Sequence, residues 1–158
     1  MKKSLVTGIL ILQCLSASAS CPSANNANRF SINGQWVTDN LTGLVWARCS
    51  LGQSLVGDLC VGEAQTYTHA SALRQAQATS GFWRLPNRRE LLSLTDMGCN
   101  NPALDPTVFP NTPSVAYWST TPYLGDTNQA WGVHFLDGST PYTGYQRGEY
   151  LNVRLLKQ

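Results

Sequence analysis

Charge is scarce in this chain. Charged residues make up 13% of its 158 residues, and lysine is almost missing, with Lys2, Lys3 and Lys157 accounting for all of it. Eleven Lys and Arg stand against nine Asp and Glu. Setting aside Lys2 and Lys3, which belong to an export leader, leaves nine cations against nine anions and a net charge near zero. That balance gives no support to a general attraction for nucleic acid or anionic membrane. Histidine occurs only as His69 and His134, too few beside paired cysteines for a zinc site. No G-x-S-x-G elbow, Gly-rich phosphate loop or evident acid pair is present. A Cys99–His134 nucleophile would need a free thiol, which the cysteine count opposes. Glu-Pro-Asn, Gln-Pro-Asp and Trp-Asn-Asp, the signatures of calcium-dependent sugar binding, are also missing. Asp126, Asn128 and Asp137 do not assemble the roughly six to eight oxygens that calcium takes. No enzymatic activity, metal or cofactor is therefore expected. Past the leader no apolar run is long enough to cross a bilayer, and no internal repeat or low-complexity tract occurs.

What is present begins with an export signal. Lys2 and Lys3, the apolar run Leu5–Leu15 and the small residues Ala17-Ser18-Ala19 read as a secretory leader over residues 1–20, cleaved near Ala19. Residues 21–158 then form one domain, secreted or periplasmic. Cys14 leaves with the leader, and Cys21, Cys49, Cys60 and Cys99 remain. Four cysteines in an oxidising compartment suggest two disulfides. Cys49 and Cys60 flank a Gly-rich segment and would close it as a loop, leaving Cys21 to tie the N-terminus to Cys99. The rival is a lipidated Cys21; Ser18 stands at −3 where lipoprotein signals favour Leu.

The most instructive stretch is Trp83–Cys99. Trp83 and Leu85 alternate like a short strand that Pro86 stops. Asn87 suits a helix N-cap, with Glu90 placed to close a capping box. Leu91, Leu92 and Leu94 give an apolar stripe, and Gly98 suits a left-handed helix end. Arg84, Arg88 and Arg89 must reach water or an acid.

Elsewhere, residues 21–29 read as a loosely held leader to the domain. Phe30–Ile32 and Gln35–Thr38 read as a hairpin about Asn33-Gly34. Leu44–Trp46 reads as a strand, and residues 50–65 as a Gly-rich loop. Thr68 caps an expected helix running to Ser80, with His69 solvated in its first turn. Asn100–Pro113 carries four prolines, which forbids a helix, yet Leu104, Val108 and Phe109 can plug a core as ordered coil. Tyr117–Thr121 and Gln129–Leu136 read as strands. Asp137-Gly138 turns into a returning strand over Ser139–Tyr145, broken by Pro141 and Gly144. Leu151, Val153 and Leu155 share a face, with Arg154 pointing the other way. The tryptophans Trp36, Trp46, Trp83, Trp118 and Trp131 read as core. Few helices and many short strands predict an α+β fold.

Thr38–Trp46 follows the form D-x-x-T-G-L-x-W, and Trp83–Leu91 the form W-R-L-P-x-x-x-E-L. Asn101–Pro106 with Phe109-Pro110, Tyr117–Tyr123, Ala130-Trp131 and Val153-Arg154-Leu155 follow in order. Together these resemble the Lcl C-terminal domain family, named for the terminal domain of a bacterial collagen-like adhesin, over roughly Trp36–Lys157. The resemblance implies a C-type-lectin-like fold of small antiparallel sheets, two flanking helices and long ordered loops. It also implies binding of sulfated glycosaminoglycans, and a trimer. This chain has no collagen-like repeat.

Two functions follow as expectations. The first is a secreted bacterial ligand-binding or adhesion module for a polar glycan, including a sulfated one, without catalysis. Its expected ligand-binding residues are Tyr123, Asp126, Asn128, Gln129, Tyr142, Tyr145, Arg147 and Tyr150. Aromatic planes stack on sugar rings, while fixed amides and guanidinium groups bind hydroxyls or sulfates. Arg88 and Arg89 are the alternative anion-binding pair. The second function is a structural or protein-interaction domain of an envelope or secretion assembly.

Overall fold

The computed structural model describes residues 28–158. The expected leader, Cys14 and Cys21 lie outside the described residues. In chain order the first strands are β1 (Phe30–Asn33), β2 (Trp36–Asp39), β3 (Val45–Ala47), β4 (Ser54–Val56) and β5 (Leu59–Val61). Helix α1 (His69–Ala78), strand β6 (Trp83–Arg84) and helix α2 (Arg88–Ser93) follow, and then β7 (Ala116–Pro122), β8 (Gln129–His134), β9 (Tyr145–Gln146) and β10 (Leu156–Lys157). The strands pair antiparallel in three sheets, ordered β1-β2-β3-β10-β6, β4-β5 and β7-β8-β9. The chain is thus α+β, with small antiparallel sheets and two helices, as the strand pattern predicts.

Local chemistry explains the elements that match. Gly34 takes a φ of 57° at the β1–β2 turn, a backbone region glycine enters without steric cost. At α2, Asn87 accepts from the backbone of Glu90, and the Glu90 carboxylate reaches back to the Asn87 amide at 2.7 Å, closing the capping box. Arg84 finds its acid in the same residue, with two hydrogen bonds of 2.8 and 2.7 Å to Glu90. The bond from Arg84, and further the Asn87 amide, hold the Glu90 carboxyl below its ordinary range against the opposing pull of burial.

Two apolar clusters fill the interior. One gathers Val37, Trp46, Leu91, Leu104, Phe109 and Phe135; the other gathers Ala72, Leu85, Trp118, Leu151 and Val153. The proline-rich coil therefore plugs the core through Leu104, Val108 and Phe109, as expected. Two buried arginines tie this coil to the sheet beside it. Arg48 donates to the carbonyls of Val108, Gly34 and Thr107 at 3.2–3.4 Å. Arg154, fully buried, donates to the carbonyls of Ala47 and Arg48 and to the hydroxyls of Ser50 and Thr112. Backbone carbonyls inside a protein need such partners.

Several expectations are corrected. His69 is buried, with 2% of its surface exposed; its ring fills the space beside Trp118 instead of meeting water. Helix α1 stops at Ala78, because the Thr79 hydroxyl and amide both turn back to the Gln75 carbonyl. Helix α2 ends in a right-handed Leu94, and Gly98 caps nothing: its amide donates to the Asp96 side chain in a separate turn. Residues 50–65 contain the β4–β5 hairpin as well as loop. The return after Gly138 is coil until Tyr145, since Pro141 and Gly144 both weaken a ladder. Arg29 is not loosely held, because it grips Asp39 at 2.9 Å. Of the tryptophans, Trp46 and Trp118 are buried and Trp36 is exposed, with Trp83 and Trp131 between.

Candidate functional site

The capped start of α2 fixes Arg88. Its backbone amide donates to Thr121 Oγ1 at 2.9 Å, so the residue is clamped to the end of β7. From there its guanidinium carbon lies 4.0 Å from the centroid of the Trp131 ring on β8, within cation–π range. Nη2 donates to Thr140 Oγ1 at 2.8 Å. Tyr123 meets the same indole edge to face, 5.2 Å between centroids. The Tyr123 amide in turn bonds the Gln129 carbonyl at 3.2 Å. The close approach requires Gly144, where a Cβ would stand 2.8 Å from Tyr123 Cβ and 3.0 Å from Gln129 Cβ.

Arg88, Trp131, Tyr123, Gln129 and Thr140 therefore form one connected surface. It joins the expected anion-binding Arg88 to two members of the expected glycan-binding set. Two buried polar atoms there lack a protein partner, Arg88 Nε and Gln129 Oε1. Trp131, read from the sequence as core, is half-exposed, and it and Thr140 complete the surface. The alternation of Gln129–Leu136 puts Trp131 on a face with Val133 and Phe135, both buried, and no period marks Thr140; only the docking of α2 on β8 brings the two to Arg88.

A second group lies around Tyr145 and Arg147. Tyr145 packs edge to face on buried Trp118, 6.1 Å between centroids, and burial pushes its hydroxyl above its ordinary range. Arg147 works as a clasp. Its Nε donates to the Thr127 carbonyl at 3.1 Å, its amide to Asn128 O at 2.8 Å, and its Nη1 reaches His69 Nδ1 at 3.0 Å. His69 Nε2 contacts the Ser119 carbonyl at 3.0 Å. Asp126 and Asn128 build the tight turn before β8, Asp126 Oδ1 accepting the Asn128 amide at 2.9 Å. Tyr142, Tyr150 and Arg89 point out to solvent and join neither group.

Cys49 and Cys60 form a disulfide, as expected. Cys99 is buried and also disulfide-bonded; the expected tie to Cys21 has its other end outside the described residues. Among the described residues no three His, Cys, Asp or Glu side chains come together as a metal would require, and no helix is long and apolar enough to cross a membrane.

These features define a disulfide-braced α+β domain that presents an arginine–aromatic surface where the start of α2 meets β8 and the loops beside it. Residues 35–157 match the model of the Lcl C-terminal domain, and the chain belongs to that family. Membership points to an adhesin-type module. No curated protein and no solved structure matches the chain.

Proposed function

We propose that this chain is an exported bacterial adhesin-type module with a C-type-lectin-like fold that binds a polar, anionic glycan without catalysing a reaction. The observation that carries this reading is Arg88 held over Trp131, with Tyr123 beside it and Thr140 below its terminal nitrogen. An aromatic surface offers a sugar ring a face to lie on, and a fixed guanidinium matches sulfate or carboxylate oxygens. Export is supported by the disulfides, which persist in oxidising compartments. The near-zero net charge makes the attraction local rather than global. Titration calorimetry with heparin and chondroitin sulfate oligosaccharides tests it. Binding that weakens with salt and is lost in Arg88→Gln, with Arg89→Gln little changed, supports the reading. Folded protein that binds neither polymer sinks it.

A second reading is a protein-interaction domain of an envelope assembly. It is favoured by the β4–β5 hairpin, which leaves Val56, Leu59 and Val61 exposed. Cross-linking that recovers a stoichiometric partner through this hairpin, with no glycan affinity, would establish it.

A further inference from the structure

Three hollows of about 230, 330 and 180 Å³ share one wall, the side chain of Trp83. They share no residue with the Arg88 surface. Their chemistry is distinctive in a chain with eight arginines. No charged side chain lines the two larger hollows, and Arg84, the one cation lining the third, is already bonded to Glu90. Another cation close by is Lys157, whose Nζ lies 4.9 Å from the Trp36 ring centroid and 6.0 Å from that of Trp83. What lines them instead is amide: Gln35 in the first, Gln77 and Gln158 in the other two. These three side chains are exposed and make no hydrogen bond among the described residues. The indole nitrogen of half-buried Trp83 likewise makes no hydrogen bond among the described residues. An amide offers both donors and an acceptor, which is what a sugar hydroxyl, itself donor and acceptor, requires.

Beside Trp83 stands Phe82, with 78% of its surface exposed and a backbone φ of 61°. A bulky residue in the left-handed region is strained, and strain of this kind gathers at ligand clamps. Here it is held by the neighbouring chain end, where the Gln158 amide donates to the Phe82 carbonyl at 2.8 Å. Glycine precedes it with a φ of 105°, so the turn has one residue that tolerates the geometry and one that does not. The strained residue is the one that turns an aromatic ring out over the hollow. Folding alone gives no reason to spend strain on exposing an apolar ring.

We propose that the hollows around Trp83 bind an uncharged pyranose chain, with Phe82 and Trp83 stacking on sugar faces and Gln35, Gln77 and Gln158 holding hydroxyls. The site is separate from Arg88 and rests on the adhesin reading only in taking a glycan as ligand. A proline-rich peptide also favours aromatic grooves, but it presents carbonyl acceptors and leaves half of each amide idle. The three free amides favour the sugar.

The test uses the full exported protein and neutral hexasaccharides of glucose, xylose and N-acetylglucosamine, with a heparin hexasaccharide and a proline-rich peptide alongside. Calorimetry and the Trp83 indole N–H resonance are the readouts. One neutral hexasaccharide is expected to bind and to shift that resonance. The affinity should fall about tenfold in Phe82→Gly and in Gln77→Ala and stay unchanged in Arg88→Gln. Both variants change exposed side chains, so loss of binding is not loss of fold. Heparin binding that depends on Arg88, with no neutral sugar bound, overturns this inference and leaves the adhesin reading standing. Neutral sugar binding lost in Arg88→Gln places the ligand elsewhere and overturns it too, as does a peptide that binds in place of every sugar. Silence toward all saccharides overturns both readings.

Discussion

His69 and Arg147 meet at 3.0 Å through Nδ1 and Nη1, and this contact fixes the state of the histidine. A guanidinium nitrogen can only donate, so Nδ1 must be the acceptor. The ring proton then sits on Nε2 and donates to the Ser119 carbonyl. His69 is therefore neutral in the folded protein. Burial first, and then the charge of Arg147, hold its pKa below the ordinary 6.5, although the Ser119 bond pulls the other way.

The consequence is a stability that depends on pH. The unfolded chain takes up a proton on His69 as pH falls through 6.5, while the folded chain resists. The contribution of the neutral ring is thus whole above that pH and is lost progressively below it, until the folded form also protonates. Urea midpoints measured from pH 8 to pH 5 should fall on the acid side, and His69→Gln should flatten that slope. An unchanged slope would place the titrating group elsewhere. Asp39 and Glu90, both held low, act in a separate window at and below their ordinary 3.8 and 4.5. Their contribution is present above those values and is lost further into acid.

Arg154 yields the largest expected loss. Its terminal nitrogens serve four oxygens, from Ala47, Arg48, Ser50 and Thr112, and its guanidinium carbon lies 5.0 Å from the Phe109 ring. Among the described residues no carboxylate pairs with it, so the group acts as a carbonyl holder rather than an ion-pair partner. Arg154→Met strands the oxygens and should cost about 3–5 kcal/mol in chemical denaturation. Arg154→Lys should recover little, because an ammonium cannot span the same fork.

Why His69 and Arg154 were illegible in the sequence while α2 was legible is a matter of range. The Asn87–Glu90 box lies within three residues, so its geometry follows from helix chemistry alone. The Asn33-Gly34 turn is legible for the same reason. His69 meets Ser119 and Arg147 across 50 and 78 positions, and nothing in its neighbours announces either. Its place in a helix's first turn, poor for a cation, argued for solvation only on the premise that it carried charge. The Arg88 surface is intermediate. The arginine and the tyrosine were visible as residue types, but their meeting across Trp131 depends on how α2 docks on β8. The family motifs served the fold better than the site, since the large apolar residues that anchor them, Trp46, Leu85, Leu91 and Trp118 among them, are buried.

The Cys49–Cys60 bridge closes a short loop, with a sequence separation of 11. Loop-closure entropy at that length gives about 2–3 kcal/mol. Cys49→Ala with Cys60→Ala should therefore lower stability by about that amount while leaving the β7–β8 surface intact. The loop also walls the hollow of about 230 Å³ at Trp83, so sugar binding there should weaken while any heparin binding at Arg88 persists. A double variant as stable as the parent would mean that the β4–β5 hairpin holds the loop without its bridge.

Phe82→Gly separates folding from function by the sign of its effect. Relief of a left-handed backbone at a bulky residue is worth about 1–2 kcal/mol, and the added freedom of glycine in the unfolded chain takes back about 0.4–1 kcal/mol. The variant should therefore be more stable than the parent by roughly 0.5–1 kcal/mol. Its exposed ring makes too little contact to offset that gain. A residue whose removal stabilises the protein is not there for the fold. Thermal and urea unfolding of Phe82→Gly beside Phe82→Ala decide the matter, because alanine keeps the strain and loses the ring. Stability that drops equally in both would show that the ring packs in solution and that its exposure carries no functional meaning. A rise in the glycine variant alone leaves ligand contact as the reason for an aromatic residue at this turn.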